Sequence, residues 1–144
     1  MSFLFDTDAL SEPLRKQPLP SYLAWLRTVS REDPYTSAIV LGELYQGAFR
    51  SPIKDRHLAQ IETRVLPAIT VLPYDGAVAK IFGRLRAERI GSGQTLMDAD
   101  IQIAATAIWH RLELVTGNVR HFSRIADLRI HTIFADLRSA HAAE

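Results

Sequence analysis

Acidic residues stand in three stretches of the chain that are otherwise apolar. Asp6 closes the run Phe3-Leu4-Phe5, with Asp8 just beyond it. Glu43 is the only charged residue between Asp33 and Arg50, and Asp98 and Asp100 are the only ones between Arg89 and Arg111. A lone carboxylate in a dry setting is costly unless it is paired, hydrogen-bonded or bound to metal. Three apolar segments that each carry acid therefore imply a meeting place and a shared cation. The chain has no cysteine, which excludes thiol catalysis, disulfide scaffolds, Cys-zinc sites and iron–sulfur clusters. A ligand set made of oxygens selects hard cations such as Mg²⁺ or Mn²⁺. The chemistry that suits such a site is phosphodiester hydrolysis, in which the metal orients a phosphate, activates a water and offsets transition-state charge.

Spacing sharpens these roles. Asp100, Ile103, Ala104, Ala107 and Ile108 fall on one helical stripe, so Asp100 continues an apolar face near the start of its helix. Asp98 lies two residues earlier, about 200° around a regular helix, and the two cannot both point into one site. Thr95-x-x-Asp98 also resembles a capping box, so capping and a site role both stand for Asp98. Glu43 shares its stripe with Val40, Leu44, Gly47 and Ala48. Asp6 at a strand end, and Asp8 more so, could instead bond the following turn.

The elements that position these acids alternate in type. Residues 3–6 read as a buried strand, and Ser11-Glu12-Pro13 as a break. Helical spacing covers 20–30, Ala38 to Phe49, 54–66 and 75–90. Tyr35 to Ser37, Ile69 to Leu72 and Leu112 to Thr116 read as strands, and Leu128 to Phe134 as a last one. Gly91-Ser92-Gly93 reads as a loop, a helix starts at Thr95 and ends near Arg111, and Gly117-Asn118 is a turn. Strands alternating with helices predict an α/β fold, a parallel sheet with helices on both faces. Sites in such sheets form beyond the carboxyl ends of the strands, where Asp6 stands.

Length and composition agree with this picture. The chain has 144 residues, 47% hydrophobic and 23% charged, which fits one globular domain. We expect a domain over residues 1–138 and a short tail over 139–144. No apolar run approaches a membrane span, and the N-terminus lacks the basic region of a secretory signal, so a cytoplasmic protein is expected. The net charge of +1 does not announce nucleic-acid binding. The basic residues are 14 Arg and 3 Lys, and Arg offers a planar fork to phosphate oxygens. Arg84, Arg86 and Arg89 cluster in one helix, where they could touch phosphates or form a solvated face.

Four segments in order resemble PIN-domain ribonucleases, specifically the VapC/FitB-like toxins of bacterial toxin–antitoxin pairs. They are Phe5-Asp6-Thr7-Asp8-Ala9-Leu10-Ser11-Glu12, Gly42-Glu43-Leu44-Tyr45-Gln46-Gly47, Asp100 to Ala107, and Leu114 to Phe122. The resemblance covers almost the whole chain. It implies a three-layer α/β/α domain and RNA cleavage dependent on Mg²⁺ or Mn²⁺. Carried over by motif, Asp6, Glu43 and Asp100 are metal ligands. Asn118 falls where the family has Asp or Asn and orients a water or ligand, and Thr116 bonds in the same site. Asp98 is an extra nearby acid whose role the motif does not settle, and Asp8 is a candidate accessory to the site. Many members carry Asn at the place of Asp8 and an acid at the place of His121.

The resemblance further implies a homodimer and a cognate antitoxin. The antitoxin's tail fills the groove and brings an Arg to the acids, and DNA is met only through it, in complexes that can be larger hetero-oligomers. Trp25, Tyr22, Tyr45 and Phe49 are candidates for that groove, with core packing as the alternative. His57, His110, His121 and His131 show no metal-ligand spacing, so a structural or surface role is expected of each. Two rival readings stand beside this one. The first is a PIN-like module that binds without cleaving. The second is a haloacid dehalogenase-like phosphatase, suggested by Phe-Asp-Thr-Asp but lacking that family's downstream Lys and paired acids.

Overall fold

Side chains of a strand alternate between its two faces, and the first strand of this chain is apolar on both. In the computed structural model, which describes residues 1–92 and 96–144, β1 (Phe3–Phe5) accordingly lies in the middle of a sheet. Its neighbours are β2 (Pro34–Ser37) and β4 (Glu113–Val115), with β3 (Thr70–Leu72) and β5 (Ile130–His131) at the edges. The order is β3-β2-β1-β4-β5 and every pairing is parallel. Leu4 pairs in register with Leu114, and Phe5 with Val115.

This alternation builds the layers. Leu4 and Leu114 face α5 (Gly76–Ser92) and α6 (Asp98–Trp109), through Val78, Leu85, Ile101, Ala104 and their neighbours. Phe3, Phe5 and Val115 face the other way, onto Ala9, Tyr22 and Phe134. These last three belong to α1 (Thr7–Ser11), α2 (Pro20–Leu26) and α8 (Ile133–Ala142). The expected α/β/α architecture with a central parallel sheet is therefore the observed one. On α3 (Ala38–Arg50), Val40, Leu44 and Ala48 are buried at intervals of four. Ser37 caps that helix by accepting from Val40 N at 3.0 Å. No helix among the described residues is long and apolar enough to cross a membrane.

Several boundaries differ from expectation. The break near residue 11 is preceded by α1 and is itself a 3-10 turn, Glu12–Leu14, where Glu12 Oε2 accepts from Leu19 N at 3.0 Å. The second helix stops at Leu26. The segment expected as one helix over 54–66 is α4 (Lys54–Gln60), which widens into a π turn at Ile61–Val65 and tightens at Leu66–Ala68. Pro67, which has no N–H to give, sits in that last turn. A short helix, α7 (Val119–Phe122), follows the turn at Asn118. The last strand, expected over Leu128 to Phe134, is only Ile130–His131, because Phe134 leaves the sheet on α8 to pack against Tyr22, 4.5 Å between rings. Residues 139–142 form the last part of that helix. Gly91 and Ser92 belong to α5, whereas the loop residue Gly93 and the helix start and cap at Thr95 lie outside the described residues.

Candidate active site

From β1 the chain moves outward to β2 and β3, then crosses back and places β4 on the other side of β1. The winding therefore reverses between β1 and β4, where a doubly wound sheet opens a crevice beyond its carboxyl ends. Asp6 and Thr116 stand there, one residue past each strand. Thr116, fully buried, donates its hydroxyl to Asp6 Oδ2 at 2.9 Å and accepts from Asn118 N at 3.1 Å. Asp6 caps α1, its Oδ1 accepting from Thr7 N at 2.8 Å.

Asp6 is only 9% exposed. Burial pushes its carboxyl up from 3.8 to about 6, and the charges of Asp8 and Glu43 push the same way. The bonds from Thr7 and Thr116 oppose the shift but do not cancel it. Thr7 also joins the first acid to the second, donating its hydroxyl to Glu43 Oε1 at 2.6 Å. A cavity of about 370 Å³ opens beside this pair, lined among others by Ser11, Gly47, His57 and Gln60.

Asp8 lies on the same short helix. Its Oδ2 accepts from Gly117 N at 3.0 Å and stands 3.5 Å from Arg138 Nη1. Its Oδ1 is buried without a hydrogen-bond partner. Asp100, in the first turn of α6, meets His121 of α7, with Oδ2 and Nε2 2.9 Å apart and both side chains about a quarter exposed. Asn118, exposed, stands at the N-cap position of α7 without a side-chain capping bond, between Thr116 and His121. Among the described residues no three His, Asp or Glu groups stand, as placed, where they could close on one ion. What fits a hard divalent cation is the donor chemistry: carboxylate oxygens, one of them dry and repelled by two neighbours.

Residues 3–128, from β1 to just short of β5, match the PIN domain family. The chain belongs to the PIN-domain family. Toxin FitB of Neisseria gonorrhoeae is 36% identical over 124 residues, covering 83% of this chain and 89% of that protein. The tRNA(fMet)-specific endonuclease VapC of Shigella flexneri is 41% identical over 93 residues, 65% of this chain and 70% of its own. Among solved structures, VapBC2 from Rickettsia felis bound to a DNA fragment from its promoter superposes with a TM-score of 0.83 at 26% identity. That match covers 91% of this chain and 98% of the other.

In this PIN domain Thr116 meets Asp6 directly, Thr7 links Asp6 to Glu43, Asp8 is held at Gly117 beside Thr116, and Asp100 is held by His121 of α7. Asp98 is placed elsewhere: it is 65% exposed and accepts from Arg86 Nε at 2.9 Å. It opens α6 as the first helical residue. Arg84, half-exposed, pairs with Glu88 and Asp127, and Arg89 is buried, donating to the Arg124 carbonyl at 3.0 Å. Tyr22 is fully buried, its hydroxyl on the Ala9 carbonyl at 2.9 Å, and Trp25 packs on Phe3, Phe5 and Tyr22. Phe49 is exposed beside Tyr45.

Three participants escape a reading of the sequence. Thr7, between two acids, carries no signal of its own. Gly117 reads only as a turn residue. Arg138 lies in a helix that the alternating pattern before it conceals.

Proposed function

We propose that this chain is a divalent-metal-dependent endoribonuclease, the toxin partner of a toxin–antitoxin pair. The observation that carries the reading is Asp6: a buried carboxylate at the crevice of a PIN domain, held near 6 by dehydration and by two neighbouring acids. A cation relieves both costs. Asp6, Glu43 and Asp100 would hold Mg²⁺ or Mn²⁺, with Asp8 nearby. Such an ion supplies a polarised phosphate and an activated water.

The chain's own residues prepare that chemistry. Thr116 fixes the orientation of Asp6, and Thr7 fixes that of Glu43. His121 orients Asp100 from outside the ligand set. Asn118, at the exposed rim, has an amide that can direct a water or a phosphate oxygen without adding charge. The cavity lined by Thr7 and Glu43 offers room for RNA beside one of the acids.

The partners follow from the same reading: an RNA substrate, a second copy of the chain, and an antitoxin through which promoter DNA is met, in the cytoplasm. The Shigella relative makes initiator tRNA the first substrate to try. The chain, purified free of antitoxin, is incubated with initiator tRNA and with total bacterial RNA, in Mg²⁺, Mn²⁺ or EDTA. The reading expects discrete fragments in either metal and none in EDTA. RNA that is bound yet uncut in both metals contradicts it and favours a non-cleaving module. Phosphate found on Asp6 favours the phosphatase chemistry.

A further inference from the structure

The match to the PIN domain family ends at residue 128, and α8 begins at Ile133. That helix nevertheless reaches the crevice. Arg138 Nη2 donates to the Gly117 carbonyl at 3.1 Å, and Nη1 stands 3.5 Å from Asp8 Oδ2. The guanidinium lies over the Phe134 ring, 4.9 Å from its centre, and Phe134 is fully buried. A Cβ on Gly117 would collide with this guanidinium and with Asp8 Oδ2, so the approach depends on glycine at 117. Among the described residues, Arg138 is the guanidinium ion-paired with a crevice acid.

We propose that Arg138 is a substrate-contacting residue, a cation carried in by the last helix to hold an RNA phosphate at the crevice. This rests on the ribonuclease reading above. A polyanion approaching Asp6, Asp8, Glu43 and Asp100 is repelled, and a fixed positive charge at the rim offsets that repulsion. Arg138 remains 46% exposed. A guanidinium has five N–H donors, and the two contacts seen here leave others for phosphate oxygens. The stacked ring, the Gly117 carbonyl and Asp8 hold it in place before substrate arrives, which lowers the ordering cost of binding.

The alternative is a clamp that only fastens α8 to the sheet. Salt dependence separates the two, because a lost phosphate contact lowers the salt slope of RNA binding and a lost clamp does not. Anisotropy of a fluorescent stem-loop from initiator tRNA is followed across a salt series in Ca²⁺, with the full chain and its variants. Arg138→Gln is expected to weaken binding about tenfold, the size of one charged hydrogen bond. The same variant should reduce the slope of log affinity against log salt by about 0.7. Arg138→Lys should restore the slope but not the whole affinity, since it returns the charge without the fork.

Wild-type affinity and slope in Arg138→Gln, with a lowered Tm, would overturn the proposal in favour of the clamp. Failure of the wild type to bind the stem-loop would overturn it too. Wild type that binds RNA with the expected Arg138 dependence but cleaves none would sink the ribonuclease reading and leave this contact standing.

Discussion

Asp6 and Asp33 sit at opposite ends of the same pair of strands, and their surroundings have little in common. Asp33 precedes β2 at the amino edge of the sheet. It accepts from Ser2 Oγ at 2.9 Å and lies 3.9 Å from the N-terminal ammonium, with its side chain 21% exposed. Asp6 follows β1 at the carboxyl edge, in the crevice where the winding reverses. It is drier, and two further acids press on it. The fold thus gives one acid a cation and water, and places Asp6 and Glu43 where amide and hydroxyl donors, not a cation, meet them. Burial with like charges nearby, not the presence of an acid at a strand end, marks the site.

The sharpest way to break this contrast is to remove either acid. Asp6→Ala, and likewise Asp100→Ala, should lower RNA cleavage about a thousandfold, the few kcal/mol that a metal site contributes. Asp33→Ala should leave it within about twofold, as single-turnover assays would register. Equal losses at both ends would erase the distinction.

Stability should move the opposite way. The folded carboxyl of Asp6 titrates near 6 and the unfolded one near 3.8. The folded state therefore holds the proton more tightly, so stability is fully present below the unfolded value and falls as pH rises from 3.8 toward 6. Above that window the buried charge costs about 3 kcal/mol. Asp6→Asn should accordingly raise the Tm of the metal-free protein at neutral pH, by several degrees in calorimetry. Asp33→Asn should leave it unchanged or lower it. A fall in Tm for Asp6→Asn would mean that its hydrogen bonds outweigh its dehydration.

Protons and cation should also compete for Asp6. Mn²⁺ affinity, measured by titration calorimetry, should drop about tenfold between pH 7 and pH 5. A flat profile would place the ion away from Asp6. His121→Ala tests the other half of the crevice, where loss of the contact that orients Asp100 should weaken Mn²⁺ about tenfold. The smallest effect is expected at Asp98, whose ion pair with Arg86 is exposed on both sides: Asp98→Ala should keep cleavage within about twofold.

The sequence carries the sheet and the acids well, for physical reasons. Phe3, Leu4 and Phe5 read as a strand buried on both faces because such a strand has no polar side, and β1 is central. Asp6, Glu43 and Asp100 stand out because each interrupts an apolar stretch, and helical geometry already separates Asp100 from Asp98. The misses have a common cause. α1 and α7 have five and four residues, too short to show a period. Leu128 to Phe134 has strand-like alternation, and only the docking of Phe134 on Tyr22 turns the chain into α8. Arg138, Thr7 and Gly117 gain their roles from contacts between segments far apart in sequence, which no local pattern encodes. Arg84, Arg86 and Arg89 stand close in sequence, and their partners Glu88, Asp98, Asp127 and the Arg124 carbonyl come from contacts that spacing alone does not encode.

The most direct test compares wild type and Asp6→Asn, each purified without antitoxin, on total bacterial RNA with Mn²⁺ and with EDTA. Fragments from wild type in Mn²⁺ alone, and none from an Asp6→Asn protein that is folded and at least as stable, are the predicted result. Cleavage by Asp6→Asn at the wild-type rate, or wild-type cleavage that persists in EDTA, would contradict it.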